Sequence, residues 1–224
     1  SDLVHRALVA VHTVVEDLEA FFISNNLTHD VRLTPNRGRN FGPLLVEFGA
    51  KLLEYDFVTH VHSKRSPHVA RRTANSWANK CWELLAQNTD QVERLHAILA
   101  SDSRIGIAYP LVLENIPPSS YNWGLNTSMA DEYYGSTELT SKHPHFPFPA
   151  GGMFISRTSA ISEILKMPHA YEDFPEEKGQ LDGTWQHTLE RLFGVIPLEQ
   201  GYAHLMFDSR ANLFTLDTDY SQPQ

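Results

Sequence analysis

The chain has 224 residues, 42% hydrophobic and 20% charged, a globular composition that excludes a disordered chain, a collagen-like fibre and a disulfide scaffold. With 18 basic against 27 acidic residues the net charge is −9, which argues against nucleic acid as a partner, since that recognition rests on a basic surface. No apolar run reaches the roughly 18 residues of a transmembrane helix, no signal peptide is visible, and Cys81 stands alone; the expected setting is the cytoplasm, with peripheral contact at the inner face of a membrane.

Residues 7–12 form a short apolar strand, and 15–24 a helix with Leu18, Phe21 and Phe22 at helical spacing. A second strand, 31–34, ends at Pro35. Next comes the turn Asn36-Arg37-Gly38-Arg39-Asn40-Phe41-Gly42-Pro43, ahead of a helix over 44–53. Helix-end amides flanked by guanidiniums make this turn a candidate diphosphate cradle; an ordinary loop with solvated arginines has the same composition. Residues 55–61 alternate as a strand and run into His62-Ser63-Lys64-Arg65. Alternation puts His60 and His62 on one face. A metal site there lacks an identifiable third ligand. A cationic edge of His62 and Lys64 facing phosphates is more economical, and a solvated basic loop is the plain alternative.

A long helix is expected over 69–100, with Trp77, Cys81, Leu84, Leu85, Leu95, Ile98 and Leu99 on its apolar stripe. Residues 105–109 form a strand closed by Pro110. The proline-rich stretch 111–149 is a loop long enough to fold over a site. Phe148-Pro149-Ala150-Gly151-Gly152-Met153-Phe154 allows close approach of backbone to a ligand, or simply turns into a strand over 152–156. A helix over 159–166 follows. The acidic run from Tyr171 to Glu177 has the composition of a solvated face. Gln180-Leu181-Asp182-Gly183-Thr184 opens a helix over 183–193, with Asp182 as its N-cap or, if it faces a cleft, a general base. His187 and Glu190 lie five and eight residues beyond Asp182. Residues 195–198 and 202–207 are expected to be closing strands. The alternation of strands and helices favours an α/β fold with a mostly parallel central sheet flanked by helices, one domain over 1–216 and a polar tail over 217–224. Ligands of such sheets bind beyond the carboxyl ends of the strands.

Four ordered blocks carry a family resemblance. They are Asn36 to Pro43; Tyr55-Asp56-Phe57-Val58 through His62-Ser63-Lys64; Phe148 to Phe154 with Arg157; and Glu172-Asp173-Phe174-Pro175 with Gly179 to Thr184, His187, Glu190 and Arg191. Together they resemble the rhamnan synthesis F family of bacterial polysaccharide assembly, over most of the chain. That resemblance implies a glycosyltransferase module of a larger protein, acting on rhamnose-containing or O-antigen polysaccharide. Its partners would be a nucleotide sugar and a polysaccharide or lipid-linked glycan acceptor. The order of elements is similar, more loosely, to the Rossmann-like GT-A glycosyltransferases. There the matching strand ends in a metal-binding Asp-x-Asp; here it ends His62-Ser63-Lys64. This implies transfer without a divalent metal or other cofactor, with His62, Lys64 and Arg65 facing the leaving diphosphate.

The resemblance places the donor on Asn36, Arg37, Gly38, Arg39, Asn40, His62 and Lys64. It makes Asp182 the base, with Asp173 and His187 as alternates, and assigns acceptor or sugar contacts to Gly151, Gly152, Met153, Trp123 and Glu190. The chain departs from the GT-A pattern between its first helix and Val31, where only Asn25 to Asp30 stand in place of a further strand and an acidic loop. Two other functions compete. One is a non-catalytic glycan-binding scaffold, with Tyr121, Trp123, Tyr133 and Tyr134 stacking on sugar rings. The other is a zinc hydrolase built on His60 and His62.

Overall fold

A computed structural model describes residues 7–11, 16–63, 71–111, 116–136, 138–208 and 213–218. In chain order its elements are β1 (Ala7–Val11), α1 (Glu16–Ser24), β2 (His29–Leu33), α2 (Phe41–Leu52), β3 (Phe57–His60), α3 (Arg71–Trp82), α4 (Thr89–Ser101) and β4 (Ile105–Leu111). They continue with α5 (Thr127–Tyr134), α6 (Leu139–Lys142), β5 (Phe154–Arg157), α7 (Thr158–Lys166), α8 (Trp185–Glu199), β6 (Ala203–Asp208) and β7 (Leu213–Asp217).

The main sheet has the order β3-β5-β4-β6-β7, and β1 pairs with β2 in a separate parallel pair. The strand β4 is apolar and buried along its whole length, as a strand covered on both faces should be. Alternation divides the sheet's side chains between two cores. Ile107, Tyr109, Phe154 and Met206 join the residues of α2, α7 and α8. Ala108, Ile155 and Leu205 join Cys81, Leu95 and Leu99 from α3 and α4.

The expectation of a mostly parallel sheet is corrected. Only β4–β6 is parallel in the main sheet; β3–β5, β4–β5 and β6–β7 are antiparallel. Hydrophobic periodicity marks where strands lie but not which way they run. The chain returns after the 116–152 excursion so that β5 enters between β3 and β4, against both.

Three local expectations also change. The long helix over 69–100 is broken after a π-helical turn (Glu83–Gln87), because the Asn88 side chain accepts the Gln91 amide and starts α4 afresh. The run 195–198 is not a strand but the last turns of α8, buried on all sides. A short apolar run has the same pattern in either element, so periodicity cannot separate them. The stretch between β4 and β5 holds α5 and α6 rather than only loop.

Since β5 opposes both β3 and β4, and β6 runs with β4, the carboxyl ends of β3, β4 and β6 share one edge of the sheet with the start of β5. His60 pairs with Phe154 there, which brings the residues after β3 beside the Gly151–Gly152 turn.

Candidate functional site

The hub of the site is that glycine turn. Gly152 has φ +75°, and a Cβ on it would lie 2.3 Å from Asn40 Nδ2, so only glycine lets α2 approach. Three elements hold the turn. From α8, Glu190 Oε1 accepts the Gly151 amide at 2.6 Å. From β3, buried His60 donates Nδ1–H to the Gly152 carbonyl at 2.6 Å. Burial, with His62 close by, pushes the His60 pKa down to about 3. Beyond β3, His62 places Nε2 2.6 Å from the Gly151 carbonyl and Nδ1 3.0 Å from the Ser63 carbonyl. Carbonyl oxygens only accept, so the ring makes both bonds together as a cation. From α2, Asn40 stands at the helix start without capping it, and its buried Nδ2 has no partner.

The second glycine turn is packed just as closely. A Cβ on Gly38, with φ +75°, would lie 2.7 Å from the Phe174 ring. Arg37 Nε donates to the Phe174 carbonyl at 2.6 Å. Arg39 reaches three groups of the later chain: Glu177 at 3.0 Å, the Gln180 carbonyl at 2.7 Å and His187 Nε2 at 3.1 Å. Both arginines therefore tie the turn to residues 172–187. Asn36 is exposed beside them.

On α8, His187, Glu190 and Arg191 fall on one face by their i, i+3, i+4 spacing. Thr184 Oγ1 lies 2.6 Å from His187 Nδ1. Burial and then the Arg39 charge push the His187 pKa down to about 4. Asp182 is not the N-cap, since the cap position is Thr184. Its oxygens instead take the Leu125 amide at 3.1 Å, Asn126 Nδ2 at 2.7 Å and Arg191 Nη2 at 3.2 Å. Burial raises its pKa, but Asn126, the Leu125 amide, Arg191 and the Gly183 amide outweigh that and leave it lowered.

Other expected residues lie elsewhere. Asp173 stays in its own short turn, accepting the Ala170 amide at 2.8 Å. Trp123 is 4% exposed, donates its indole N–H to the His143 carbonyl at 2.7 Å and packs on Phe146. Met153 is 1% exposed. Trp123 and Met153 are core residues: Trp123 because the 116–152 stretch folds its apolar side chains inward, Met153 because it packs with Cys81, Leu95 and Leu99 just before β5. Tyr121 is buried likewise, and Tyr133 packs on Trp185. Lys64 and Arg65 lie outside the described residues. Among the described residues no group of three His, Cys, Asp or Glu is placed to hold a metal ion, and His60 and His62 turn a nitrogen each to a backbone carbonyl.

Sequence reasoning gave no role to Asn126 and Arg191. Asn126 is fully buried and bridges Asp182 to Thr188. Arg191 joins the Asn122 and His187 carbonyls to Asp182 and lies over the Phe148 ring. Asn126 carries no local signal, since Asp182 and Thr188 lie 56 and 62 residues on, and Arg191, though part of the fourth motif block, meets the Asn122 carbonyl 69 residues back.

Residues 12–202 match the family model described as Rhamnan synthesis protein F. Two proteins of Xanthomonas campestris pv. campestris, from different strains and both named "Uncharacterized protein WxcX", are 27% identical over 169 residues, covering 75% of this chain and 24% of their own length. The chain thus spans about a quarter of the length of the curated relatives it matches. No solved structure matches it. The family match runs from α1 through α8 and takes in both glycine turns and the α8 face: the chain belongs to the rhamnan synthesis protein F family.

Proposed function

We propose that this domain transfers a sugar from a nucleotide-sugar donor to a growing polysaccharide, without a divalent metal. The observation that carries the reading is the meeting of Asn40, His62, the Gly151–Gly152 turn and the His187–Glu190 face at the carboxyl edge of the sheet, in a chain of a polysaccharide-synthesis family. The donor diphosphate lies at the start of α2, where the helix dipole and the unpartnered Asn40 Nδ2 favour an anion. Cationic His62, with Lys64 after it, offsets the charge that builds on the leaving group.

Glu190 is a better base than Asp182 in this reading. Asp182 is held as an anion by four donors, and its lowered pKa makes it a weak proton acceptor. Glu190 meets the glycine turn itself. The acceptor oxygen attacks the anomeric carbon and its proton passes to Glu190. The bond from that carbon to the diphosphate oxygen breaks, and the nucleoside diphosphate leaves with the electron pair. Whether in rhamnan or O-antigen, the acceptor is a cell-surface glycan.

A non-catalytic glycan-binding module is favoured instead by one observation: Arg37 and Arg39 already donate to groups within the chain. Nucleotide binding separates the two. A panel of nucleoside diphosphates and nucleotide sugars, each with EDTA or with manganese, is read by thermal unfolding. Saturating donor at a hundred times its Kd stabilises by about 2.7 kcal/mol. The transferase reading expects a base-specific shift that survives EDTA; no shift with any nucleotide overturns it in favour of the scaffold. In that assay Glu190→Gln keeps the donor-induced shift, while in a turnover assay it loses release of nucleoside diphosphate by about a hundredfold or more. Release at the native rate would return the base to Asp182 or His187.

A further inference from the structure

The β3–β5 pair has two ends. One carries His60 and the Gly152 turn; at the other Phe57 pairs with Arg157, about 10 Å away along the strands. A cleft of about 610 Å³ opens at this second end. One wall is the end of the α2–β3 connection and the start of β3, with Tyr55, Asp56 and Phe57, and the other is the start and exposed stripe of α7. Helical spacing explains that stripe: Ser159, Ser162 and Lys166 line the cleft, while Ala160, Ile161, Ile164 and Leu165 are buried in the core.

The chemistry of the cleft favours an anion. Arg157 and Lys166 contribute two cations to the lining against the single carboxylate of Asp56. Arg157 is fixed there by donating to the Leu99 carbonyl at 2.5 Å, with its guanidinium over the Phe57 ring. Arg157 also precedes α7, and a guanidinium cannot accept a hydrogen bond, so the helix start has no side-chain cap. The Thr158 amide donates to the Asp56 carbonyl; the next amides, Ser159 and Ala160, have no acceptor within the helix. Two buried polar atoms of the lining residues, Arg157 Nε and the Oγ1 of 5%-exposed Thr158, meet no partner. Orphaned donors of this kind point to an absent acceptor.

We propose that this cleft is a second binding site, taking a phosphoryl or carboxylate group carried on a sugar-sized molecule. The anion sits at the start of α7 beside Arg157, the sugar ring extends along the Ser159–Ser162 stripe towards Lys166 at the far end of the helix, and the Tyr55–Phe57 wall covers the apolar face of the ring. The volume suits a ring with its substituent better than a lone ion. The site lies apart from the transfer site and does not depend on it.

Calorimetric titrations with inorganic phosphate, glucose 1-phosphate, glucuronate and glucose, with amide chemical shifts followed in parallel, test the proposal. Glucose 1-phosphate, glucuronate or both bind saturably and move the Ser159 and Ala160 amides, inorganic phosphate binds more weakly, and glucose does not bind. The relative affinity of the two anionic sugars tells phosphoryl from carboxylate recognition. Lys166→Glu, on an exposed position, weakens binding about tenfold, the loss of one charge-assisted contact. Ser162→Asp does the same by charge repulsion. Absence of saturable binding, or binding that moves the Asn40 and Gly151 amides and ignores both variants, overturns the proposal.

Discussion

At the scale of single residues the site is a set of groups that fix one another. Asp182 shows why a residue type at a helix mouth does not declare its role. Its carboxylate closes the 124–126 turn onto α8 and pairs with Arg191, which is 8% exposed. Removing the charge leaves a buried guanidinium short of its acceptor. Asp182→Asn should therefore lower unfolding free energy by about 1–3 kcal/mol in urea titration. A variant as stable as the parent would mean that this clamp is idle. Glu190 contrasts with it: its bond runs to the glycine turn, so its neutralisation should be felt in turnover more than in stability. The residue types at these positions were legible in the sequence. Their partners were not, since Asp182 bonds across 56 and 57 positions to Asn126 and Leu125.

At the scale of elements, α8 organises the site. Its buried face packs into the core through Leu189, Leu192 and Phe193, with Phe193 stacked on Phe41 of α2 at 5.3 Å between centroids. Its other face carries His187 and Glu190 to the two glycine turns. Gly194 lets it pass close to the 147–148 backbone, where a Cβ would lie 2.5 Å from the Pro147 carbonyl oxygen. On the far side of the sheet, the break at Asn88 lets α4 start in its own direction. Asn88→Ala removes the acceptor for the Gln91 amide and should cost about 1 kcal/mol. That is a fall of roughly 2–4 °C in Tm for a chain of this size, and an unchanged Tm would show the cap to be dispensable. Most elements were legible from their periodicity. The break at Asn88 and the helical state of 195–198 were not, because an apolar run reads alike in helix and strand, and a cap competes with continuation only once both helices are packed.

At the scale of the whole molecule, buried histidines link the fold to pH. Burial pushes His60 and His204 down to about 3, and burial with the Arg39 charge pushes His187 to about 4, from an ordinary 6.5. His204 lies beneath the sheet's core, bonded to the Tyr109 hydroxyl at 2.8 Å. Between those values and pH 6.5 the unfolded chain binds more protons than the folded one, so acid favours unfolding. Stability is full above pH 6.5 and falls as the pH drops towards 3. The slope reaches about 1.4 kcal/mol per pH unit for each fully buried ring. Asp30, held near 2 by Arg32 and Lys51, adds its loss only below its ordinary 3.8. Urea midpoints at pH 7 and pH 5 check this: the midpoint should be lower at pH 5, and equal midpoints would mean that these rings are not held neutral.

The sequence alone determined the α/β class, the position of most strands and helices though not of α5, α6 or β7, and the family, because periodicity, glycine turns and ordered motif blocks are local properties of the chain. It also marked Gly151, Gly152, His62, His187 and Glu190 as residues of interest. The tertiary structure alone decided that the main sheet is mixed, that Trp123 and Met153 belong to the core, and that Asp182, Arg37 and Arg39 serve as ties within the chain. Strand direction, burial and the choice of hydrogen-bond partner depend on which distant segments meet, and local composition carries no record of that.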